Sequence, residues 1–168
     1  IHVTDNDMKW TLMNKEFEKT LVQMGAIKDR ASSYGKACST AGATNCKTEK
    51  CGIRHLQHGV GESYFEWGDK SCKQNTAYLV DEDGARVGYV ETVEDLTSII
   101  RVNRNNEAEI GRLIRNLQQL AEGDTDLDIA TAEADEYTRQ SKAQFENINH
   151  SLAEVKDALS KMIGDTKM

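Results

Sequence analysis

From Leu96 onward the residues repeat in alternating steps of three and four. Leu96, Ile99, Asn103, Asn106, Ile110, Leu113, Leu117 and Leu120 form one series, and Ser141, Phe145, Ile148, Leu152, Val155, Leu159 and Met162 form a second. This alternation keeps one row of side chains on one helix face, the a/d repeat that winds helices left-handedly around a partner. One isolated helix cannot bury such a row, so the two predicted helices must pair within the chain or with a second chain. All 168 residues lack proline, which agrees with long uninterrupted helices.

Composition divides the chain at the same place. Eight of ten aromatic residues, all four cysteines and nine of twelve glycines precede Thr97. A glycine- and aromatic-rich half followed by a glycine-poor periodic half reads as an α+β module feeding helices, with the boundary near Asp95–Ile99. With 38% hydrophobic and 29% charged residues, the chain has the apolar content to fold. Its net charge of −7 argues against a general nucleic-acid binder, whose phosphate contacts need clustered Lys and Arg. No run approaches the roughly 18 apolar residues that cross a bilayer, and no signal peptide opens the chain. Beginning at Ile1, it is expected to be a piece of a longer protein.

The first half carries strand and turn signals in order. His2-Val3-Thr4 and Lys9–Met13 read as short strands around the turn Asp5-Asn6-Asp7. Asn14 suits a helix N-cap, Phe17, Thr20, Leu21 and Met24 form that helix's inner face, and Gly25 ends it. Residues 25–50 are irregular, and Cys51–His58 reads as a short helix closed by Gly59. Three strands follow at Glu62–Trp67, Asn75–Val80 and Arg86–Val93, the last two joined by Asp81-Glu82-Asp83-Gly84.

That order, with Val3-Thr4-Asp5, Asn14-Lys15-Glu16-Phe17, Asp83-Gly84, Val87-Gly88-Tyr89-Val90 and the closing Asp95-Leu96-Thr97, resembles a PAS domain over residues 1–97. The stretch from Tyr34 to Gly59, with Cys38, Cys46 and Cys51, is similar to cysteine-bearing PAS variants of bacterial and archaeal chemoreceptors and sensor kinases. The resemblance implies an antiparallel sheet with flanking helices and an Asp95-Leu96-Thr97 link that passes strain to the following helix. On the residues alone, Asp95 or Thr97 can equally be just a helix cap that bonds back to the sheet.

Between the two helical series lies Glu122-Gly123-Asp124-Thr125-Asp126-Leu127-Asp128-Ile129. Gly123 can stop the first helix, Leu127 and Ile129 can pin an extended connector to the bundle, and Asp135-Glu136 suits the start of the second helix. Together these resemble a HAMP domain over residues 100–155. The resemblance implies a parallel four-helix bundle in a homodimer, packed through Ile110, Leu113, Leu117, Leu120, Leu127, Ile129, Phe145, Ile148, Leu152, Val155 and Leu159. The first helix lacks the proline common in that family, and Asn103 and Asn106 put polar groups on the seam, so the resemblance is to a divergent member.

Cys38, Cys46 and Cys51 fall within fourteen residues and are candidates for a redox-labile pair or a metal site, though their spacing is not that of a paired zinc motif. Free or structural thiols are the plainer reading. His55 and His58 are candidate haem ligands by the PAS resemblance, against the plainer reading of a polar, exposed helix face. The nucleophile, phosphate-loop, dinucleotide and zinc-protease motifs are absent, so no enzyme is expected. The expected domains are a PAS sensor at 1–97, a HAMP-like relay at 98–155 and the start of an output coiled coil at 156–168. The expected function is signal transduction in a cytoplasmic fragment of a chemoreceptor, whose parent can be membrane-anchored, responding to a small-molecule ligand, redox state or partner. The alternatives are a dimerisation module without a ligand and a haem- or metal-bearing redox sensor.

Overall fold

The computed structural model describes residues 1–165. The chain divides into two compact units, Ile1–Thr97 and the residues that follow. The first unit is an α+β fold built on a five-stranded antiparallel sheet. Its strands are β1 (His2–Asp5), β2 (Trp10–Met13), β3 (Glu62–Trp67), β4 (Lys70–Val80) and β5 (Arg86–Asp95), in the spatial order β2-β1-β5-β4-β3. Helices α1 (Lys15–Gln23) and α2 (Gly52–Gln57) lie in sequence between β2 and β3, with two short 3₁₀ turns at Ala31–Ser33 and Cys38–Ala41.

Local chemistry sets most of these boundaries. Asn14 Oδ1 accepts from the Phe17 amide at 3.0 Å and caps α1, while Gly25, at φ +69°, lets the chain leave it. The loop between β4 and β5 is held by Asp81, whose Oδ1 accepts from the amides of Asp83 at 3.1 Å and Ala85 at 2.8 Å. β4 starts at Lys70 and not at Asn75, because Gly68-Asp69 makes a tight turn that pairs Trp67 with Lys70. The core collects Trp10, Met13, Phe17, Leu21, Phe65 and Trp67. The Phe17 ring lies 6.3 Å from that of Trp10 and 5.8 Å from that of Trp67, joining α1 to β2 and β3.

The second unit comprises α3 (Thr97–Ala121), a connector without regular structure, and α4 (Arg139–Asp165). Gly123, at φ +83°, ends α3. The connector then runs back along α3, with Asn116 exchanging hydrogen bonds with the Asp128 backbone at 2.8 and 3.1 Å. Further along, Glu109 accepts from the Ala132 amide at 2.9 Å, and Arg101 pairs with Asp135 at 3.2 Å. Ser141 bonds to Asn106, and Asn149 donates to the Ile129 carbonyl at 3.1 Å, so α4 starts beside the first half of α3 and runs in the same direction. Asp135 does not open α4 itself. Its Oδ1 accepts from the amides of Tyr137 and Thr138 at 2.9 Å each, capping a turn that precedes Arg139. One chain supplies two long helices, so a four-helix bundle would take a second copy. Residues 156–165 continue α4, while 166–168 of the expected output segment lie outside the described residues. No helix among the described residues is long and apolar enough to cross a membrane.

Gly88 fixes the central strand pair. A β-carbon there would stand 2.0 Å from the Thr4 carbonyl oxygen, a clash with backbone that no side-chain rotation relieves. Gly88→Ala is expected to cost about 2–3 kcal/mol, read as a lower urea midpoint.

Candidate functional site

Alternation along β1, β4 and β5 brings polar side chains to the inner face of the sheet. The register pairs His2 with Glu91 and Thr76 with Glu91, while Gln74 pairs with Val93 one step along. Glu91 is 2% exposed and His2 is 5% exposed. The Glu91 carboxyl accepts from Gln74 Nε2 and, at 3.4 Å, from Thr76 Oγ1, and its other oxygen lies 3.6 Å from His2 Nε2. Gln74 Oε1 in turn accepts from Asn45 Nδ2 at 3.3 Å and from Ser63 Oγ at 3.4 Å. The network thus ties the loop before α2 and strand β3 to the middle of the sheet. Gly52 allows α2 to rest directly on β4, since a β-carbon there would stand 2.5 Å from Thr76 Oγ1.

His2, Asn45, Gln74 and Glu91 form one wall of a cavity of about 40 Å³. Phe17, Phe65, Trp67 and Val93 supply its apolar wall, and Cys38, Cys46 and Cys51 lie toward the half-exposed loop side. Burial pushes the Glu91 carboxyl up to about 7 and the His2 imidazole down to about 3. His2 stacks on Phe17 at 4.2 Å between ring centres, and its Nδ1 has no hydrogen-bond partner among the described residues.

The three loop cysteines therefore share one cavity, as their closeness in sequence allowed. All are free thiols, and burial raises Cys38 to about 12 and Cys46 above its ordinary value. Such thiols are protonated at neutral pH and poor nucleophiles. Among the described residues no three His, Cys, Asp or Glu side chains are placed to hold a metal ion. His55 and His58 do not line the cavity: His55 Nδ1 lies 3.4 Å from the Glu62 carbonyl oxygen, and His58 is exposed at the end of α2. Neither histidine that the resemblance offers as a haem ligand is brought to this cavity. Sequence reasoning missed His2, Asn45, Gln74 and Glu91. The usable signal was the period-two placement of Gln74, Thr76 and Glu91 in line with the buried Phe65, Trp67 and Cys72.

At the end of β5 a second cluster holds the start of α3. Asp95 Oδ1 accepts from the Thr97 amide at 3.0 Å and from the Thr97 hydroxyl, and Asp95 Oδ2 accepts from Lys70 Nζ at 2.6 Å. Thr97 Oγ1 accepts from the Ser71 amide at 3.0 Å, and the Leu96 amide donates to the Ser71 carbonyl at 2.8 Å. Desolvation pushes the Asp95 carboxyl upward, but the bonds from Lys70 and Thr97 outweigh it and hold the group below its ordinary value. Asp95, Leu96 and Thr97 thus bond Thr97, the first residue of α3, to the beginning of β4.

In the second unit the seam residues split into two sets. Leu113, Leu120, Leu127, Phe145, Leu152 and Leu159 are buried or half-buried, whereas Ile110, Leu117, Ile129, Ile148 and Val155 are exposed. No protein-family model and no curated protein sequence matches the chain.

Glu91 and His2 together predict a distinctive pH profile. Unfolded, between their ordinary values of 4.5 and 6.5, the pair carries one proton, on His2. Folded, with Glu91 near 7 and His2 near 3, it again carries one proton, now on Glu91. The two linkages therefore cancel over that window, whichever group holds the folded-state proton. Glu91→Gln leaves only the depressed histidine, whose stabilising effect is lost as pH falls. Relative to wild type, the variant's unfolding free energy is expected to drop by about 1.4 kcal/mol per pH unit below about pH 6.5. Urea melts across that range check it, and parallel profiles for the two proteins would contradict it.

Proposed function

We propose that the chain is the sensory and relay part of a chemoreceptor-type signal transducer. Residues 1–97 act as a PAS-type sensor, residues 98–155 as a HAMP-like relay in a homodimer, and residues 156–168 lead toward an output segment of the same chain. In this reading both units work in the cytoplasm, and the parent protein meets the membrane elsewhere. The α+β sheet architecture is compatible with the PAS resemblance.

The observation that carries the reading is the inward row of β5. Glu91 stands in the cavity wall, Val93 lines the same cavity, and Asp95 bonds to the first residue of α3. These three alternate along one strand and so share a face. A change of occupant or of charge at Glu91 displaces β5, and the Asp95–Thr97 bonds carry that displacement into the helix. Packed helices favour discrete arrangements, so a small shift at the junction becomes a change in population.

Asp95→Ala is expected to leave the circular dichroism spectrum intact and to abolish the response to stimulus of the full-length transducer. Normal signalling by a folded variant would overturn the relay.

The split of the seam supports the homodimer. The covered set on each helix is satisfied within one chain, and the exposed set of Ile110, Leu117, Ile148 and Val155 continues the same repeat. A second copy is the partner that carries a matching pair of stripes. Leu117→Lys would bury an unpaired ammonium there, and sedimentation is expected to show at least a tenfold weaker dimer. A dimer of wild-type strength would move the interface elsewhere.

A further inference from the structure

We propose that the cavity of residues 1–97 binds a small ammonium cation, of about the size of methylammonium, between the Glu91 carboxylate and the rings of Phe17, Phe65 and Trp67. The inference rests on reading this unit as a sensor and names the chemical class of its ligand.

Charge is the first argument. The cavity lining holds a carboxyl group and three aromatic rings but no lysine or arginine. Its histidine does not fill the gap, because burial keeps His2 neutral, with its ionisation pushed down to about 3. The other groups facing Glu91 are the neutral Gln74 and Thr76 of β4 and the thiols of Cys38 and Cys46 from the loop before α2. A buried carboxylate without a counter-cation holds its proton, which is why Glu91 rises to about 7. A bound cation would supply the missing charge, and aromatic rings attract cations through their faces, tryptophan most strongly.

Hydrogen bonding and size narrow the class. An ammonium carries N–H groups for the Glu91 carboxylate to accept and an alkyl group to pack on the rings, where a bare alkali ion gives neither. The cavity is small, at about 40 Å³, which suits a ligand of the size of methylammonium. Binding exchanges one positive charge for another: the protonated Glu91 and the alkylammonium give an ion pair and a released proton. Affinity is therefore expected to fall about tenfold per pH unit below about pH 7.

Titration calorimetry of the whole chain with methylammonium chloride tests this, with potassium chloride and tetramethylammonium chloride as controls at equal ionic strength. Saturable binding of methylammonium alone is expected, weakening as pH falls and lost in Glu91→Gln. Phe65→Leu, which keeps an apolar side chain and removes a ring, is expected to weaken binding several-fold. Equal heats for all three salts, or undiminished binding by both variants, would overturn the site. Failure to bind methylammonium overturns the site and leaves the relay reading standing. Binding that leaves the amide exchange of Thr97–Ala121 unchanged would sink the relay and keep the site.

Discussion

The carboxyl group of Glu91, buried in the middle of the sheet, dictates much of what surrounds it. An ionised carboxylate cannot be placed in such a site without large cost unless partners compensate, so the group keeps a proton or gathers donors. Gln74 is the main donor, and its orientation is fixed by what its own oxygen accepts. Because that oxygen takes bonds from Asn45 and Ser63, the irregular loop and strand β3 are positioned through the same amide. A polar network of this kind specifies one arrangement of the core, since each member left unpaired would be penalised. It also leaves the centre of the first unit sensitive to protonation and to charge.

The second unit is held by a different balance. Its connector forms no helix or sheet, so its backbone groups need partners from elsewhere. The polar face of α3 provides them through Glu109, Arg112, Asn116 and Gln119, which bond to backbone atoms of residues 126–132. Buried Glu109 and Asn116 are therefore structural despite their polarity. With the connector on that face, α3 and α4 run the same way and leave one apolar stripe each without cover from their own chain.

The elements legible from sequence were those announced by local chemistry. Asn14, Gly25, the Asp81 loop and Gly123 each mark a boundary through a side-chain bond or a positive φ, and a reader can find them without knowing the tertiary fold. The break after Asp95 was legible as a change of period from two to three and four. The tight Gly68-Asp69 turn was missed because Lys70–Gln74 is polar and does not look like a strand. The same polarity concealed the site: Gln74, Thr76 and Glu91 face inward only because their neighbours in the sheet supply bonds, and such pairing is set by register across sixteen or more residues of chain. The loop cysteines drew attention for their chemistry, yet burial keeps the Cys38 and Cys46 thiols protonated and leaves them as lining.

In the proposed relay, Glu91 and the first turn of α3 are mechanically linked through Asp95. Amide hydrogen exchange across Leu96–Arg101 tests it directly, comparing wild type with Glu91→Gln in an otherwise native background and then in the presence of Asp95→Ala. The Glu91 substitution is expected to change protection in that turn when Asp95 is present and to have no effect on it once Asp95 is gone. Protection that is indifferent to Glu91 in the native background would contradict the link.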